Sequence, residues 1–139
     1  MSDEAPLVTV LVATSGRGRT VRRTLRHLRA QTIGRRIELV LIGPDEGSFG
    51  DLADEETAGF ARCRRMAVGP FDEVERAFVP GIRAATAPIV ALLENHVYPE
   101  PGWAAAQNDR PEFQLFQAAA DINIFHVRRD SHTPAIQSF

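Results

Sequence analysis

The sequence predicts an α/β fold with a mostly parallel sheet and flanking helices. Three short runs, residues 7–13, 37–42 and 89–94, are rich in β-branched residues and nearly continuous in apolar character, which is typical of strands covered on both faces. Amphipathic segments lie between them, and alternating strands and helices are the pattern of a parallel sheet. At 139 residues with a formal net charge of -2, the chain is expected to be one domain, and nucleic acid is not an expected partner because there is no basic excess.

The first unit reads as strand, helix, strand. Between the first two runs, Val21, Leu25 and Leu28 recur at helical spacing, so we expect a helix from about Thr20 to Gln31. These three apolar residues form one stripe, and the sequence therefore predicts that the helix packs on the sheet through them.

The elements that follow have weaker sequence patterns. Residues 66–68 are expected to be a third strand, and residues 72–86 a helix that is kinked or ends near Pro80 and Gly81, because proline lacks a backbone donor. After the fourth strand, 89–94, the pattern predicts a helix over 111–120, an edge strand over 121–127 and a polar tail over 128–139. An exposed edge beside the fourth strand is expected to favour self-association.

Composition restricts the location of the protein. Cys63 is the single cysteine, which excludes a disulfide within the chain and a cysteine-rich metal site, and suits a reducing cytoplasm. The first ten residues contain no cationic leader, and no apolar run approaches the ~20 residues of a membrane-spanning helix. We therefore expect a cytoplasmic protein without a membrane span.

Polar segments follow three of the strands, where open parallel sheets bind their ligands. In the first, residues 14–20, glycines permit close backbone approach and the start of a helix offers amides to an anion, which makes Thr14, Ser15, Gly16 and Arg17 candidates for nucleotide binding. A plain strand-to-helix turn capped by Thr20 explains this segment equally well. Both the third glycine of a dinucleotide fingerprint and the Gly-Lys pair of a phosphate loop are missing.

The second and third polar segments contain carboxylates. Asp45 follows the second strand and is placed to accept hydrogen bonds from a ribose or a base, although an Asp-Glu-Gly turn is an equal alternative. Glu94 and His96 stand two residues apart at the end of the fourth strand, where alternate side chains share a face. They are candidate ligands of Mg²⁺ or Mn²⁺ completed by substrate phosphates and water; the alternative is a capped strand end.

An arginine stripe lies along the first helix, which has no acidic residue of its own. Its members are Arg19, Arg22, Arg26 and Arg29. Their mutual repulsion calls for anions nearby, and the favoured partners are the acidic residues of segment 51–56, or solvent, rather than a substrate diphosphate.

Together these segments resemble the nucleotide-binding half of family 2 glycosyltransferases, with a Rossmann-like GT-A fold, over residues 7–106. The resemblance rests on Gln31-Thr32, on Gly81 to Ala85 and on Pro101-Gly102-Trp103. Glu94-Asn95-His96 stands where the family has an Asp-x-Asp metal motif. The resemblance divides the chain into a tail at 1–6, the family-like region at 7–106 and a divergent, partly disordered segment at 107–139.

What the resemblance implies is a domain that binds a nucleotide-diphosphate sugar with Mn²⁺ or Mg²⁺ for inverting transfer to an acceptor. Thr14 and Asp45 would lie near the nucleoside, and Glu94 and His96 near the cation and the diphosphate. In the family the acceptor side and the general base come later in the chain, where this sequence offers only Glu112, Asp121 or Asp130, so a truncated copy is expected and enzyme activity stays open. The alternatives are a non-catalytic remnant that binds a nucleotide or a partner, and a dinucleotide-binding oxidoreductase domain.

Overall fold

The structure, a computed structural model, describes residues 5–14, 21–71, 74–95, 97–109, 122–128 and 135–138. Its strands are β1 Val8–Ala13, β2 Ile37–Gly43, β3 Arg62–Ala67, β4 Ile89–Glu94, β5 Ile122–Arg128 and β6 Ala135–Ser138, and its helices are α1 Val21–Arg29, α2 Val74–Ala84 and α3 Trp103–Asp109. They form one sheet in the order β3-β2-β1-β4-β5-β6. The first four strands run parallel, β5 is antiparallel to β4, and β6 is antiparallel to β5. This confirms the predicted α/β fold with a mostly parallel sheet.

Two hydrophobic layers cover the two faces of the sheet. The first places the apolar stripe of α1 against alternate residues of β1, β2 and β4, and its fully buried members include Val10, Val21, Leu25, Leu28, Leu39 and Leu93. The second places α2 against the other face through Ala77 and Phe78, which pack with Leu11 and Ile42. Leu25 is only 1% exposed, so the predicted packing of the first helix is confirmed.

Helix α2 confirms the helix predicted over 72–86, and of the two outcomes expected near Pro80 and Gly81, a kink or an end, the end does not occur because both residues lie inside the helix. Pro80 removes only its own backbone donor, so the remaining helical hydrogen bonds can continue to Ala84. Gly81 has a packing role here, because a Cβ at this position would lie 2.6 Å from Ile42 Cδ1 and 3.2 Å from Leu11 Cδ1. The missing side chain lets the helix backbone approach the sheet closely.

Strand β3 begins four residues earlier than the sequence predicts, at Arg62 rather than at Met66. Most of its side chains are exposed, among them Arg62, Arg64 and Arg65. Among the strands that the structure describes, β3 lies at the edge of the sheet and pairs with β2. An edge strand does not require an apolar sequence, and arginines there oppose pairing with another chain.

The C-terminal strands correct two further expectations. Strand β5 pairs with both β4 and β6, so it is not an edge strand, and Ala135–Ser138 forms a strand where a polar tail is predicted. The edge of β4 is therefore covered, which removes the reason given for self-association. The helix predicted at 111–120 lies outside the described residues, and α3 runs across the predicted boundary between residues 106 and 107.

A buried carboxylate joins β1, β2 and the chain just before β4. Glu38 is fully buried, and its Oε1 accepts hydrogen bonds from the Thr9 hydroxyl at 2.7 Å and from the Thr86 amide at 2.8 Å. Its Oε2 accepts from the Thr86 hydroxyl at 2.9 Å, while Thr9 Oγ1 accepts from the Ala87 amide at 3.2 Å. The side chain thereby satisfies several polar groups that would be costly to leave unpaired in the core.

Cys63 provides a test of the environment of β3. Although this residue reaches the surface, burial of its thiol raises the pKa above the usual value, against the smaller effects of the Arg65 charge and of a hydrogen bond with Thr57. Because the thiolate is the nucleophile, we expect iodoacetamide to alkylate the folded protein more slowly than free cysteine at pH 8, with a pH midpoint above that of the free amino acid. A midpoint at or below the free value would show that the charge of Arg65 dominates instead.

None of the helices that the structure describes is long and apolar enough to cross a lipid bilayer.

Candidate functional site

The order of the strands changes direction at β1. The chain passes from β1 through α1 to β2 on one side, whereas α2 returns it to β4 on the other side of β1. In the register of the sheet, Ala13 pairs with both Ile42 and Glu94, so the polar segments after β1, β2 and β4 leave the sheet at the same level. Open parallel sheets bind ligands at such a change of direction, beyond the carboxyl ends of the strands.

Thr14 follows β1 at this change of direction. It is 2% exposed, and its amide donates to the Ile42 carbonyl at 2.7 Å, which extends the pairing of β1 with β2 by one residue. The structure thus fixes the point at which the chain leaves β1. The other residues predicted for the first polar segment, Ser15, Gly16 and Arg17, together with the proposed cap Thr20, lie outside the described residues.

Asp45 begins a short 3-10 helix at Glu46–Phe49. Its Oδ1 accepts from the Ser48 amide at 3.1 Å and from the Ser48 hydroxyl at 3.3 Å, while Ser48 Oγ lies 3.4 Å from the Asp45 amide. This reciprocal cap confirms the turn that the sequence offered as one interpretation of the segment. Asp45 remains exposed at the edge of the sheet, so contact with a nucleoside stays a prediction.

Gly43 makes the turn after β2 possible. A Cβ at this position would come within 2.4 Å of Ser48 Cβ and 3.2 Å of the Thr14 carbonyl oxygen. Any larger residue would force Ser48 or the end of β1 to move. The short distance to Ser48 is a physical reason why glycine is required at this position.

Glu94 closes β4 and opens a tight turn. The Val97 amide donates to the Glu94 carbonyl at 3.2 Å, so the chain leaves the strand at once. The strand alternation that was expected to place Glu94 and His96 on one face therefore does not continue past Glu94, and His96 lies outside the described residues. Within the described part of the chain, no three His, Cys, Asp or Glu residues are grouped to hold a metal ion.

Helix α1 holds the turn after β4 through Thr24. This buried hydroxyl lies 2.9 Å from the Asn95 carbonyl oxygen and 2.9 Å from the Val97 carbonyl oxygen. Thr24 lies on the buried side of α1, next to Leu25 and one turn from Leu28. A hydroxyl carries a single proton, so the two carbonyl groups share it and both are drawn toward the helix.

The residues that follow α1 hold the chain after this turn. The Gln31 side chain accepts from the Ala104 amide at 3.0 Å and donates to the Glu100 carbonyl at 2.7 Å, and the Thr32 amide donates to the Pro101 carbonyl at 2.9 Å. Two motifs that lie about seventy residues apart in the sequence, Gln31-Thr32 and Pro101-Gly102-Trp103, thus meet in the structure. Their pairing positions the segment after β4 rather than supplying chemistry.

An aromatic contact covers the outer side of this segment. The Arg23 guanidinium lies 4.3 Å from the centre of the Tyr98 ring, and the His27 ring is tilted against Tyr98 at 5.5 Å. The His27 Nδ1 lies 3.3 Å from the Pro99 carbonyl oxygen. The first two turns of α1 therefore contact this segment on its buried side, through Thr24, and on its outer side, through Arg23 and His27.

Two residues of the arginine stripe, Arg22 and Arg29, contact the acidic segment that the sequence favoured as a partner. Arg22 Nε lies 2.9 Å from the Glu56 carboxylate, and Arg22 also donates to the Asp51 carbonyl. Arg29 donates to the Glu55 carbonyl at 2.6 Å. These two guanidinium groups hold the 51–56 loop on α1, and Arg19 lies outside the described residues.

The sequence did not predict Thr24, Gly43 and Ser48 as parts of the candidate site at the carboxyl ends of the strands. The Asp-x-x-Ser spacing of Asp45 and Ser48 is a capping pattern, and this local signal could have identified the pair. Thr24 is a polar residue on an otherwise apolar helical face, which identifies it as unusual but does not name its partner. The requirement at Gly43 depends on a contact with the later Ser48, so only the folded chain reveals it.

Neither a protein-family model nor a curated protein matches this chain by sequence. Its fold is similar to that of S. aureus TarS, with a TM-score of 0.61 at 14% sequence identity over 76% of this chain and 20% of that chain. The structure of S. aureus TarS 1-349 gives a TM-score of 0.54 at 10% identity over 76% of this chain and 31% of that chain. The mannosyltransferase PcManGT from Pyrobaculum calidifontis, in complex with GDP-Man and Mn²⁺, is more distant, with a TM-score of 0.45 at 17% identity over 68% of this chain and 28% of that chain. The chain thus spans a small part of the length of these proteins, and it shares an α/β fold with TarS.

Proposed function

We propose that this chain is a family 2 glycosyltransferase-like domain of the GT-A type that binds a nucleotide-diphosphate sugar at the carboxyl edge of β1, β2 and β4. The observation that supports this most directly is the shared level at which Thr14, Gly43 and Asn95 leave the sheet, beside the change in strand direction. The fold likeness to TarS supports the same proposal. With its single cysteine, the protein is proposed to act in the reducing cytoplasm.

Each proposed contact has a separate chemical reason. The Asp45 carboxylate is exposed beyond the carboxyl end of β2 and would accept a charge-assisted hydrogen bond from a ribose hydroxyl or a base N–H. Its cap on Ser48 holds it in place. Thr14 would bring the start of the following loop, Ser15 to Arg17, beneath the nucleotide. In this assignment the nucleoside lies near the carboxyl end of β2, the nucleoside side, and the diphosphate lies near the carboxyl end of β4, the diphosphate side.

The residues on the diphosphate side fit a divalent cation that takes most of its ligands from elsewhere. Glu94 supplies a carboxylate at the end of β4, and His96 is proposed to join it. Few protein ligands and oxygen-rich completion by phosphates and water are typical of Mg²⁺ or Mn²⁺ bound with a nucleotide. A cation bound there would neutralise the negative charge that develops on the leaving diphosphate.

In a complete transferase, an acceptor hydroxyl forms a bond to the anomeric carbon while the bond from that carbon to the diphosphate oxygen breaks. The proton of the hydroxyl passes to a general base. The candidate bases Glu112, Asp121 and Asp130 lie outside the described residues, so no base is assigned. The part of the reaction that the described residues would perform is to hold and orient the donor.

The proposal is tested by isothermal titration calorimetry with UDP and with GDP, each with and without MnCl₂. We expect weak binding of at least one nucleotide and a gain in affinity with Mn²⁺. Glu94→Ala should reduce the affinity measured with Mn²⁺ by roughly 10-fold or more and leave the metal-free affinity unchanged, since it removes a ligand group of the cation. Asp45→Asn, which still caps Ser48, should weaken binding with and without metal.

Two exposed carboxylates near these residues serve as controls. Glu46→Ala lies next to Asp45, and Glu100→Ala lies on the segment after β4. Both should bind like the unsubstituted protein. No binding of either nucleotide at millimolar concentration, with or without Mn²⁺, would remove the proposed function.

A second candidate function is a non-catalytic nucleotide-binding or interaction module. The observation in its favour is that the likeness to TarS, at 14% sequence identity, extends to the fold alone. Donor-consumption assays with a panel of nucleotide sugars and acceptors separate the two. Binding without acceptor-dependent turnover would support the module, and turnover would support the transferase.

A further inference from the structure

We propose that Gly69 is a positioning residue for the nucleoside side of the site, because its amide holds the peptide group that orients Asp45. This inference rests on the proposed function. Gly69 has a φ of 85°, in the left-handed region that residues with a side chain rarely adopt. A Cβ at this position would meet nothing within 4 Å, so the requirement for glycine comes from the backbone conformation and not from crowding.

The pairing of β2 with β3 continues past the end of both strands. The Val68 amide, directly after β3, donates to the Gly43 carbonyl at 2.9 Å. The Gly69 amide then donates to the Pro44 carbonyl at 3.0 Å. The chain after β3 therefore lies along the segment that leads from β2 to Asp45.

The peptide group between Pro44 and Asp45 is held on both of its polar sides. Its carbonyl accepts from the Gly69 amide, and its N–H donates to Ser48 Oγ at 3.4 Å. The Asp45 carboxylate caps the same Ser48 through Oδ1, at 3.1 Å from the amide and 3.3 Å from the hydroxyl. Because a peptide group is planar, a bond that fixes its carbonyl also fixes the direction of its N–H. The Gly69 amide thus contributes to the direction in which the Asp45 carboxylate leaves the chain.

The residues on either side of Gly69 restrict how strain there could be relieved. Val68 and Phe71 are both partly buried against the second hydrophobic layer. A side chain at position 69 disfavours a positive φ, and since these neighbours are packed on the sheet, the backbone of residue 69 itself is expected to rotate. That rotation would turn its amide away from the Pro44 carbonyl and release the peptide group that this amide holds.

Three substitutions at position 69 form a graded test. Asparagine adopts a positive φ more readily than alanine does, and β-branched valine adopts it least. In isothermal titration calorimetry we expect Gly69→Val to bind UDP or GDP roughly 10-fold more weakly than the unsubstituted protein, about the loss of one hydrogen bond to a charged group. Gly69→Ala should lose less affinity, and Gly69→Asn should bind nearly as well as the unsubstituted protein. The loss should be the same with and without MnCl₂, because Asp45 lies on the nucleoside side and Glu94 on the diphosphate side.

Gly59 supplies the matched control. It has a φ of 90°, and a Cβ there would also meet nothing within 4 Å. It lies two residues before Ala61, whose amide donates to the Ile37 carbonyl at the start of β2, and therefore at the opposite edge of the sheet from the site. Gly59→Val should lower the thermal midpoint about as much as Gly69→Val does, without changing nucleotide affinity. In amide hydrogen exchange without ligand, the Ser48 amide should exchange faster in Gly69→Val than in Gly59→Val.

The outcomes separate this inference from the proposed function. If Gly69→Val binds nucleotide as tightly as the unsubstituted protein, or if Gly59→Val loses affinity equally, the positioning role is wrong and the proposed function stands. Equal losses in Gly69→Asn and Gly69→Val would contradict the role of the positive φ. If the unsubstituted protein binds neither nucleotide, the proposed function fails and this inference fails with it. Should Gly69→Val not fold, Gly69→Ala takes its place, and full affinity in Gly69→Ala overturns the proposal.

Discussion

Replacing Leu25 with alanine is expected to lower the free energy of unfolding by about 2–5 kcal/mol. Leu25 is 1% exposed in the layer between α1 and the sheet, where its side chain contacts the residues of β1 and β2. Truncation removes apolar contacts and leaves a cavity that the rigid strands cannot fill. Urea denaturation followed by the fluorescence of Trp103, the single tryptophan, measures this change because Trp103 packs against the same layer.

Two variants on the same helix test the assignment. Leu25→Met nearly conserves volume and should cost less than about 1.5 kcal/mol. Arg26→Ala changes the next residue, which is exposed, and should fall within about 0.5 kcal/mol of the unsubstituted protein. A Leu25→Ala variant as stable as Arg26→Ala would mean that α1 does not pack on the sheet as described.

Replacing Glu38 with alanine is expected to cost about 3 kcal/mol. The substitution removes the acceptor of the Thr9 hydroxyl and of both the amide and the hydroxyl of Thr86. Thr9 is fully buried, so water cannot readily replace the carboxylate there. The loss should appear in the same urea denaturation experiment and should be accompanied by faster amide exchange at Thr86.

Glu38→Gln separates hydrogen bonding from charge. Its carbonyl oxygen can accept from Thr9 and from the Thr86 amide, and its amino group can donate to the Thr86 hydroxyl, so the expected cost is about 1 kcal/mol. The exposed Glu55→Ala is the control and should be close to neutral. Equal losses in Glu38→Gln and Glu38→Ala would contradict the hydrogen-bond account and point to the charge itself.

The helix boundaries show where local patterns are sufficient and where they are not. The stripe of Val21, Leu25 and Leu28 predicts α1 correctly because burial of one helical face is a property of consecutive residues. Pro80 predicts a kink or an end in α2, and the helix continues to Ala84 because proline removes only its own backbone donor. Strand β3 was placed too late because pairing with β2, rather than apolar composition, determines where it begins.

The sequence by itself determined the α/β class, the three buried strands, the core face of α1 and the positions along the chain at which polar groups follow strands. These features depend on periodicity and on apolar runs, which are local. Only the tertiary structure decided which polar groups come together: that Asp45 caps Ser48 beside Gly43, that Arg22 and Arg29 hold the 51–56 loop, and that Thr24 and Gln31 hold the segment after β4. The contacts of the two arginines, and those of Thr24 and Gln31, join residues from separate elements. No local pattern in one element specifies its partner in another, because the register of the sheet and the packing of α1 on it determine that partner.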